Sequence, residues 1–382
     1  MGPLKGVRIV ELASYGPGPM CAMMLADMGA TVLRVDRAVP DEDAARRRPP
    51  LKFDLMKRSR YSIGVDLKRP AAIECVLKLV EKADALIEGY RPGVMERLGL
   101  GPDTCLARNP KLVYARITGW GQDGPLAQVP GHDINYIALS GALNAIGRKG
   151  GPPAVPLALV GDMAGGATYL SQGILAGIIE SRSSGKGQVV DVSMLEGAIS
   201  LSTSIYGRRA SGAWTLERGS NMLDSGTHFY DVYECADGRF IAVGANEKKF
   251  HDELVRRLGI DPADIGDHLD RANWERHKAR LAERFRTRTR DEWCREFEGV
   301  DTCFSPVLDF DEAPDHPHLK ARKAFVEVDG ITQPAPAPRF SRTPSEVSMP
   351  PQPITPENTQ KALAAWFEPA EIAALRAARV IE

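Results

Sequence analysis

Apolar positions along this chain come in two rhythms, and the switch between them lays out its elements. Residues 7–12 (Val7-Arg8-Ile9-Val10-Glu11-Leu12) read as a strand, residues 19–28 as a helix with proline in its first turn, and 31–35 as a second strand. Residues 70–83 put Ile73, Leu77 and Val80 on one helical face, and 85–87 and 112–117 return to strand. Residues 165–180 are almost wholly apolar, which predicts a buried helix, and 189–192 follow as a strand. Strands separated by helical patterns predict a parallel sheet with helices on its faces.

The texture changes after about residue 220. Residues 229–235, an Asp237-Gly238 turn and 240–243 predict a β-hairpin, with charged helices to follow at 248–258, 273–285 and 291–298. From Pro334 to Pro356 prolines recur too irregularly for a core, so the segment reads as an extended strap. Helices at 360–367 and 371–378 end the pattern. The expected fold class is α/β: a large Rossmann-like domain (1–200 and 330–382), a linker (201–225) and a smaller α+β domain (226–329).

Composition narrows the function classes. The formal net charge of −1 gives no global field for nucleic acid or a membrane surface. No apolar run reaches the ~18 residues of a membrane span. The six cysteines lack any Cys-x-x-Cys spacing, and the first residues do not resemble a signal peptide, which suits a reducing, cytoplasmic setting. The final Val380-Ile381-Glu382 is no peroxisomal address. Cys21 reads as a small buried filler. No metal is expected, because His316 and His318 lack nearby cysteine or well-spaced carboxylates.

Candidate chemistry sits in two glycine-flanked segments, Gly131-His132-Asp133-Ile134-Asn135-Tyr136 and Gly161-Asp162-Met163-Ala164-Gly165-Gly166. Each puts an ionisable group at the mouth of a helix-like stretch, where unpaired N–H groups favour developing negative charge. Either group alone reads equally as a helix cap. A third segment, Gly16-Pro17-Gly18 between strand and helix with Asp36 beyond, mimics a dinucleotide site. Cys21 stands where the third glycine belongs, and two prolines remove N–H donors, so this half reads as scaffold. Positive charge crowds the first hundred residues: Arg37, Arg46, Arg47, Arg48, Lys57, Arg58, Arg60, Lys68, Arg69, Arg91 and Arg97. Arg46–Arg48 read as a solvated run. Arg60, Lys68 and Arg91 border apolar positions, which points to a polyphosphate ligand.

Together these segments resemble the α-methylacyl-CoA racemases, of the family III CoA-transferase superfamily. The likeness is carried by Gly2-Pro3-Leu4-Lys5-Gly6, Gly16-Pro17-Gly18-Pro19, Val65-Asp66-Leu67-Lys68, Glu88-Gly89-Tyr90-Arg91-Pro92-Gly93 and Tyr114-Ala115-Arg116-Ile117-Thr118-Gly119-Trp120-Gly121. It continues through Gly131–Tyr136, Asn221-Met222-Leu223-Asp224 and the segment from Tyr230 to Gly238, and so spans nearly the whole chain.

The resemblance implies an isomerase that inverts the α-carbon of 2-methylacyl-CoA thioesters through an enolate. His132 and Asp162 would be the bases on opposite faces, Glu247 would support the histidine, and the enolate oxygen would rest on N–H groups around Asp162 to Gly165. Coenzyme A, carried by the substrate rather than serving as a separate cofactor, would meet Arg37, Val65, Asp66, Leu67, Lys68, Gly89, Tyr90, Arg91 and Arg97. Gly131, Asp133, Ile134, Asn135 and Tyr136 would complete its contacts. The family's architecture is an interlocked homodimer. An alternative within the superfamily is a CoA-transferase that uses Asp162 as nucleophile, but that chemistry needs no second base such as His132. The chain departs from the family pattern in a longer, more charged 38–55 stretch and in Met163-Ala164, where a glycine-rich turn is usual. His228 stands where proline is expected, and reads as a partly exposed loop residue.

Overall fold

The computed structural model describes residues 2–38 and 49–381. It divides into two compact units. The larger comprises Met1–Ser140, Leu157–Leu201 and Pro317–Glu382, and the smaller Gly141–Pro156 and Ser202–His316. Residues 202–225, read from sequence as a linker, thus belong to the smaller unit. Side-chain-to-backbone bonds hold them there: Arg218 Nε donates to Asn144 O (2.8 Å), Asn221 Nδ2 to Thr215 O (3.1 Å), and Asp224 accepts from the Asn221 N–H (2.7 Å). Such ties carry no periodicity. Residues 317–329, expected in the smaller domain, lie in the larger unit.

The larger unit is built on six parallel strands: β1 Arg8–Leu12, β2 Thr31–Arg37, β3 Tyr61–Val65, β4 Ala85–Glu88, β5 Val113–Thr118 and β6 Gln188–Ser193. Their order is β3-β2-β1-β4-β5-β6, so the direction of winding reverses between β1 and β4. Alternate residues of β1 feed two cores. Val10 and Leu12 pack with Leu33, Ile63, Val76 and the C-terminal Leu363 and Trp366, whereas Ile9 packs with Cys21, Leu25, Ile87, Leu170 and Ile174. Cys21 is fully buried and its thiol is pushed well up by that burial, as suits a filler.

Buried charge runs through this sheet. Glu11 receives both Arg34 and Arg60, the latter at 2.7 Å, and Asp27 accepts from Arg58 (2.7 Å) and Ser59 (2.7 Å). Arg60 is therefore a structural partner of Glu11 and not a ligand arginine, which corrects the reading from its apolar neighbours. Over this edge runs the proline-rich strap. Ser59 N–H donates to Met349 O (2.9 Å), and Glu346 N–H to Asp27 O (3.0 Å). The terminal helices, Pro356–Ala364 and Pro369–Ala377, start earlier than predicted, because proline opens each first turn and Thr355 Oγ1 caps the first by accepting from Asn358 N–H (3.1 Å).

In the smaller unit β7 Tyr230–Glu234, β8 Phe240–Gly244 and β9 Phe304–Pro306 form an antiparallel sheet. Gly238 turns the hairpin at φ +74°. Helices Lys248–Arg257, Trp274–Phe285 and Arg290–Glu296 cover it, the last started by a reciprocal Thr289/Glu292 capping box. Four histidines lie inside. His228 Nε2 and His251 Nε2 share a hydrogen bond at 2.9 Å, His251 stacks on His268 at 4.7 Å, and His277 lies 5.1 Å from His228, ring to ring. His228 is fully buried, not a loop residue near solvent. Phe229 and its strand draw it into this aromatic nest.

Candidate active site

The carboxyl ends of β1, β4 and β5 open into a cavity of about 860 Å³ within the larger unit. Its walls are the turns after β1 (13–17) and β4 (89–92), the end of β5 (118–120), and the 129–132 loop. In an open parallel sheet the crevice where strand order reverses is where connecting loops splay apart, which makes room for a ligand. The Gly16 turn holds no dinucleotide signature in space either. Asp36, which would face a ribose, accepts from Arg34 Nε at 2.7 Å.

His132 enters the cavity at the end of an extended segment (φ −133°, ψ 173°) and caps the helix Asp133–Leu139. Its backbone N–H donates to Asn135 Oδ1 at 3.0 Å. The loop before it is pinned by Tyr136, whose hydroxyl donates to Gly131 O and whose ring meets Trp120 edge-on at 4.8 Å. Trp120 Nε1 in turn donates to Val129 O (2.9 Å). A Cβ on Gly119 would fall inside the Tyr136 ring, so the clasp closes only with glycine there. His132 is exposed.

Asp162 also lines this cavity. The helix expected to begin near Gly165 begins at Leu159 and is π-helical to Thr168, and the α-helix Tyr169–Ser184 continues from it. Asp162 is thus in the first turn of a π-helix, at a helix mouth as expected, though one that opens earlier. Wide turns of this kind recur at functional sites, because they bend a helix to aim one side chain. Of the N–H groups expected to meet an enolate, from Asp162 to Gly165, those of Asp162 and Met163 are already engaged. Met163 N–H donates to Ala158 O (3.3 Å), and those of Gly161 and Asp162 donate to Asp133 Oδ2 at 2.8 and 3.2 Å. Asp133, read from sequence as a coenzyme A contact, is buried behind the cavity. Only glycine fits at 161, since a Cβ there would come within 2.6 Å of Asp133 Oδ2. On the cavity side Gly16 (φ +63°) leaves the Asp162 carboxylate its place: a Cβ would lie 3.0 Å from Oδ2.

Burial pushes the Asp162 carboxyl up to about 6, the Asp133 charge adds to this, and His132 opposes it. The half-buried carboxyl therefore takes up and releases protons near neutral pH, in the range of an ordinary imidazole. An imidazole and a raised carboxyl on the walls of one cavity suit proton removal and return at a weakly acidic carbon.

The residues assigned to coenzyme A separate into groups. Arg37, Gly89, Tyr90, Arg91, Gly131, Asn135 and Tyr136 line the main cavity. Glu88 places that second turn: fully buried, it accepts from Arg116 Nε (2.7 Å) and from Tyr90 N–H (2.8 Å). Leu67, Lys68 and Arg97 border a separate depression of about 490 Å³. Val65 is in the core, Asp66 accepts from Lys68 N–H (3.1 Å), and Ile134 is exposed away from the cavity walls. Of the basic cluster, Arg37, Lys57 and Arg91 face the cavity, Arg58 and Arg60 are spent on buried carboxylates, and Arg69 bonds Ala378 O (2.9 Å). Arg46–Arg48 lie outside the described residues. Glu247 caps the helix Lys248–Arg257 in the smaller unit and is exposed there. Among the described residues no group of three or more His, Cys, Asp or Glu is arranged to hold a metal, and no helix is long and apolar enough to cross a membrane.

The family model described as CoA-transferase family III matches residues 4–359. An alpha-methylacyl-CoA racemase of Mus musculus is 42% identical over 99% of this chain and 97% of its own length. The protein of the same name from Homo sapiens is 40% identical over 99% and 97%. Among solved structures, Rv3272 from M. tuberculosis superposes with a TM-score of 0.78 at 28% identity, covering 94% of this chain and 98% of that one.

Proposed function

We propose, from the premise that this chain belongs to CoA-transferase family III, that it is an α-methylacyl-CoA racemase working by two-base proton transfer. The observation that carries this reading is His132 and Asp162 on the walls of one cavity, with Asp162 raised into the imidazole range. Full-length relatives that carry the racemase name support it. A CoA-transferase nucleophile would need only Asp162.

The α-proton of a 2-methylacyl-CoA is weakly acidic because the thioester delocalises the resulting charge. His132, in its neutral form, takes that proton, and the C–H electron pair moves into the enolate. Asp162, in its acid form, returns a proton to the other face. Its carboxylate is then free to begin the reverse course, with the imidazolium of His132 as donor. Each half needs the His132/Asp162 pair to hold one proton between them. The raised Asp162 carboxyl lets its acid form persist to about pH 6, so that it can serve as the proton donor. Arg37, Lys57 and Arg91 supply positive charge in the same cavity for the phosphates of coenzyme A, the carrier half of the substrate and the only coenzyme the reaction needs. The second depression, with Lys68 and Arg97, is a further anchoring point for that carrier.

Glu247 is assigned to orient His132, supplied by a second copy of the chain in a homodimer. Apolar exposure supports self-association: Leu139, Leu157, Leu159, Ile179 and Leu201 of the larger unit are each 48% exposed or more. The helix Tyr169–Ser184, expected to be buried all round, buries only the face bearing Leu170, Ile174 and Ile178. Six free cysteines, four of them buried, suit a reducing compartment, and we place the protein in the cytoplasm.

The test is incubation of one enantiomer of a 2-methylacyl-CoA in D2O, with and without an acceptor acid. Deuterium at the α-carbon with loss of chirality, independent of acceptor, is the expected result. His132→Ala and Asp162→Ala should each lower exchange by roughly 10²–10⁴-fold. Acceptor-dependent transfer of CoA without label would replace this reading with a transferase.

A further inference from the structure

Asp133 is used by neither step above, yet its buried carboxylate is tied to the backbone that carries Asp162. It is 6% exposed, and Oδ2 accepts from two successive backbone N–H groups, those of Gly161 and Asp162. Oδ1 is buried with no hydrogen-bond partner among the described residues. A buried carboxylate normally meets a cation or a full set of donors, and one left half-satisfied costs stability that a protein retains only for a reason. Elsewhere in this unit the chain supplies arginines to such groups: Glu11, Asp27 and Glu88 each have one. None is supplied here.

The placement explains the exception. Asp133 follows His132 directly in sequence and bonds to the backbone of Asp162, so one side chain ties the two bases together across the 28 residues that separate Gly161 from it. Gly161 is glycine so that the oxygen can approach. We propose that Asp133 is a positioning residue for the reaction, its buried carboxylate gripping the turn that carries Asp162 and its uncompensated charge tuning that side chain's hold on a proton. This rests on the two-base reading for its purpose, though not for its measurement.

Other groups around Asp162 do not provide the same effect. His132 acts in the opposite sense, and Tyr136 faces Asp162 with a phenol held neutral by burial. Arg91 faces that phenol. The helix Met194–Leu201, packed on the π-helix, contributes Glu196, and the helix Pro17–Asp27 carries no charge before Asp27, which is engaged with Arg58. Like charge at close range is what raises a carboxyl beyond the effect of burial, and Asp133 is the carboxylate bonded to this turn.

Asp133→Asn keeps an oxygen to accept from the two N–H groups and removes the charge. In free protein labelled with ¹³C at aspartate carboxyls, the Asp162 resonance is assigned by its loss in Asp162→Asn. Its midpoint should lie near 6 in the parent and fall by about one unit in Asp133→Asn, a shift expected of a lost like charge. The acid limb of the racemisation profile should move down with it, with kcat changing more than KM. A midpoint in the ordinary carboxylate range in the parent, or one unmoved in a folded Asp133→Asn, overturns the proposal. The parent measurement stands even if the variant does not fold. A midpoint that falls in a protein with no racemase activity upholds the tuning and rejects the two-base reading instead.

Discussion

Glu11 and His228 are both fully buried, one in the larger unit and one in the smaller, and the chain treats them in opposite ways. Glu11 is met by two arginines, Arg34 and Arg60. His228 is surrounded by His251, His268, His277 and Phe229, and burial pushes its imidazole down to about 2, so it stays neutral. His251 is pushed down to about 4 by the same cause, although Asp252 pulls the other way. An interior of low dielectric tolerates a paired ion or an uncharged polar ring, but not a bare charge. Glu11 in the larger unit takes the first course and the histidine nest of the smaller unit the second, although the smaller unit also pairs a buried Asp231 with Lys278 (3.0 Å). Asp162 takes neither, since no arginine is among the groups that set its proton affinity. A group that breaks the rule its own domain follows marks the place where function outweighs stability.

The comparison is broken most severely by removing the shared carboxylate. Glu11→Ala leaves Arg34 and Arg60 buried against each other, and should lower the unfolding free energy of the larger unit by about 3–5 kcal/mol in denaturant titrations. A loss under about 1 kcal/mol would mean that the pairs do not balance that buried charge.

Acid sharpens the contrast with a smaller effect. The depressed histidines bind fewer protons folded than unfolded, so their contribution is complete above the ordinary imidazole value and is lost as pH falls through it towards 4. Hydrogen exchange by peptide should therefore show β7, β8 and the helix Trp274–Phe285 losing protection below about pH 6, ahead of β1 and β2. Simultaneous loss in both units would refute the distinction.

The smallest effect concerns the exception. Asp162 has a raised carboxyl, so the stability it contributes is present in acid and is lost as pH rises through about 6. Asp162→Asn should therefore gain roughly 2–4 °C in Tm at pH 8 and close to nothing at pH 4.5. An equal Tm at both pH values would show that the charged form costs nothing.

Much of the fold was legible because β1, β2, β4, β5 and β6 are apolar runs bounded by helical ones. β3 was noted only as apolar positions, since Ser62 and Gly64 dilute its pattern. The segments bearing His132 and Asp162 stood out through their glycines, and the packing at Gly161 and Gly16 explains why glycine is there. The π-helix left no trace, because composition does not distinguish a five-residue from a four-residue hydrogen-bond step. Arg60 and Asp133 were misassigned for one shared reason. Each is defined by a partner distant in sequence, Glu11 across the sheet and the backbone of the 161–162 turn, and a local reading sees only the neighbours along the chain.

The division of the chain also has a consequence in time. The path passes between units at 140/141, 156/157, 201/202 and 316/317, and the core beside β1 is completed by Trp366, Phe367, Ile372, Val380 and Ile381. On the ribosome the sheet is therefore finished in sequence long before its second face can be covered. The smaller unit, whose final strand ends at Pro306, is fully synthesised first. Until residue 381 emerges, the core around Val10, Leu12 and Leu33 is covered only in part, by residues such as Val76 and Leu79, and a nascent chain stalled in the strap would present the uncovered remainder to chaperones.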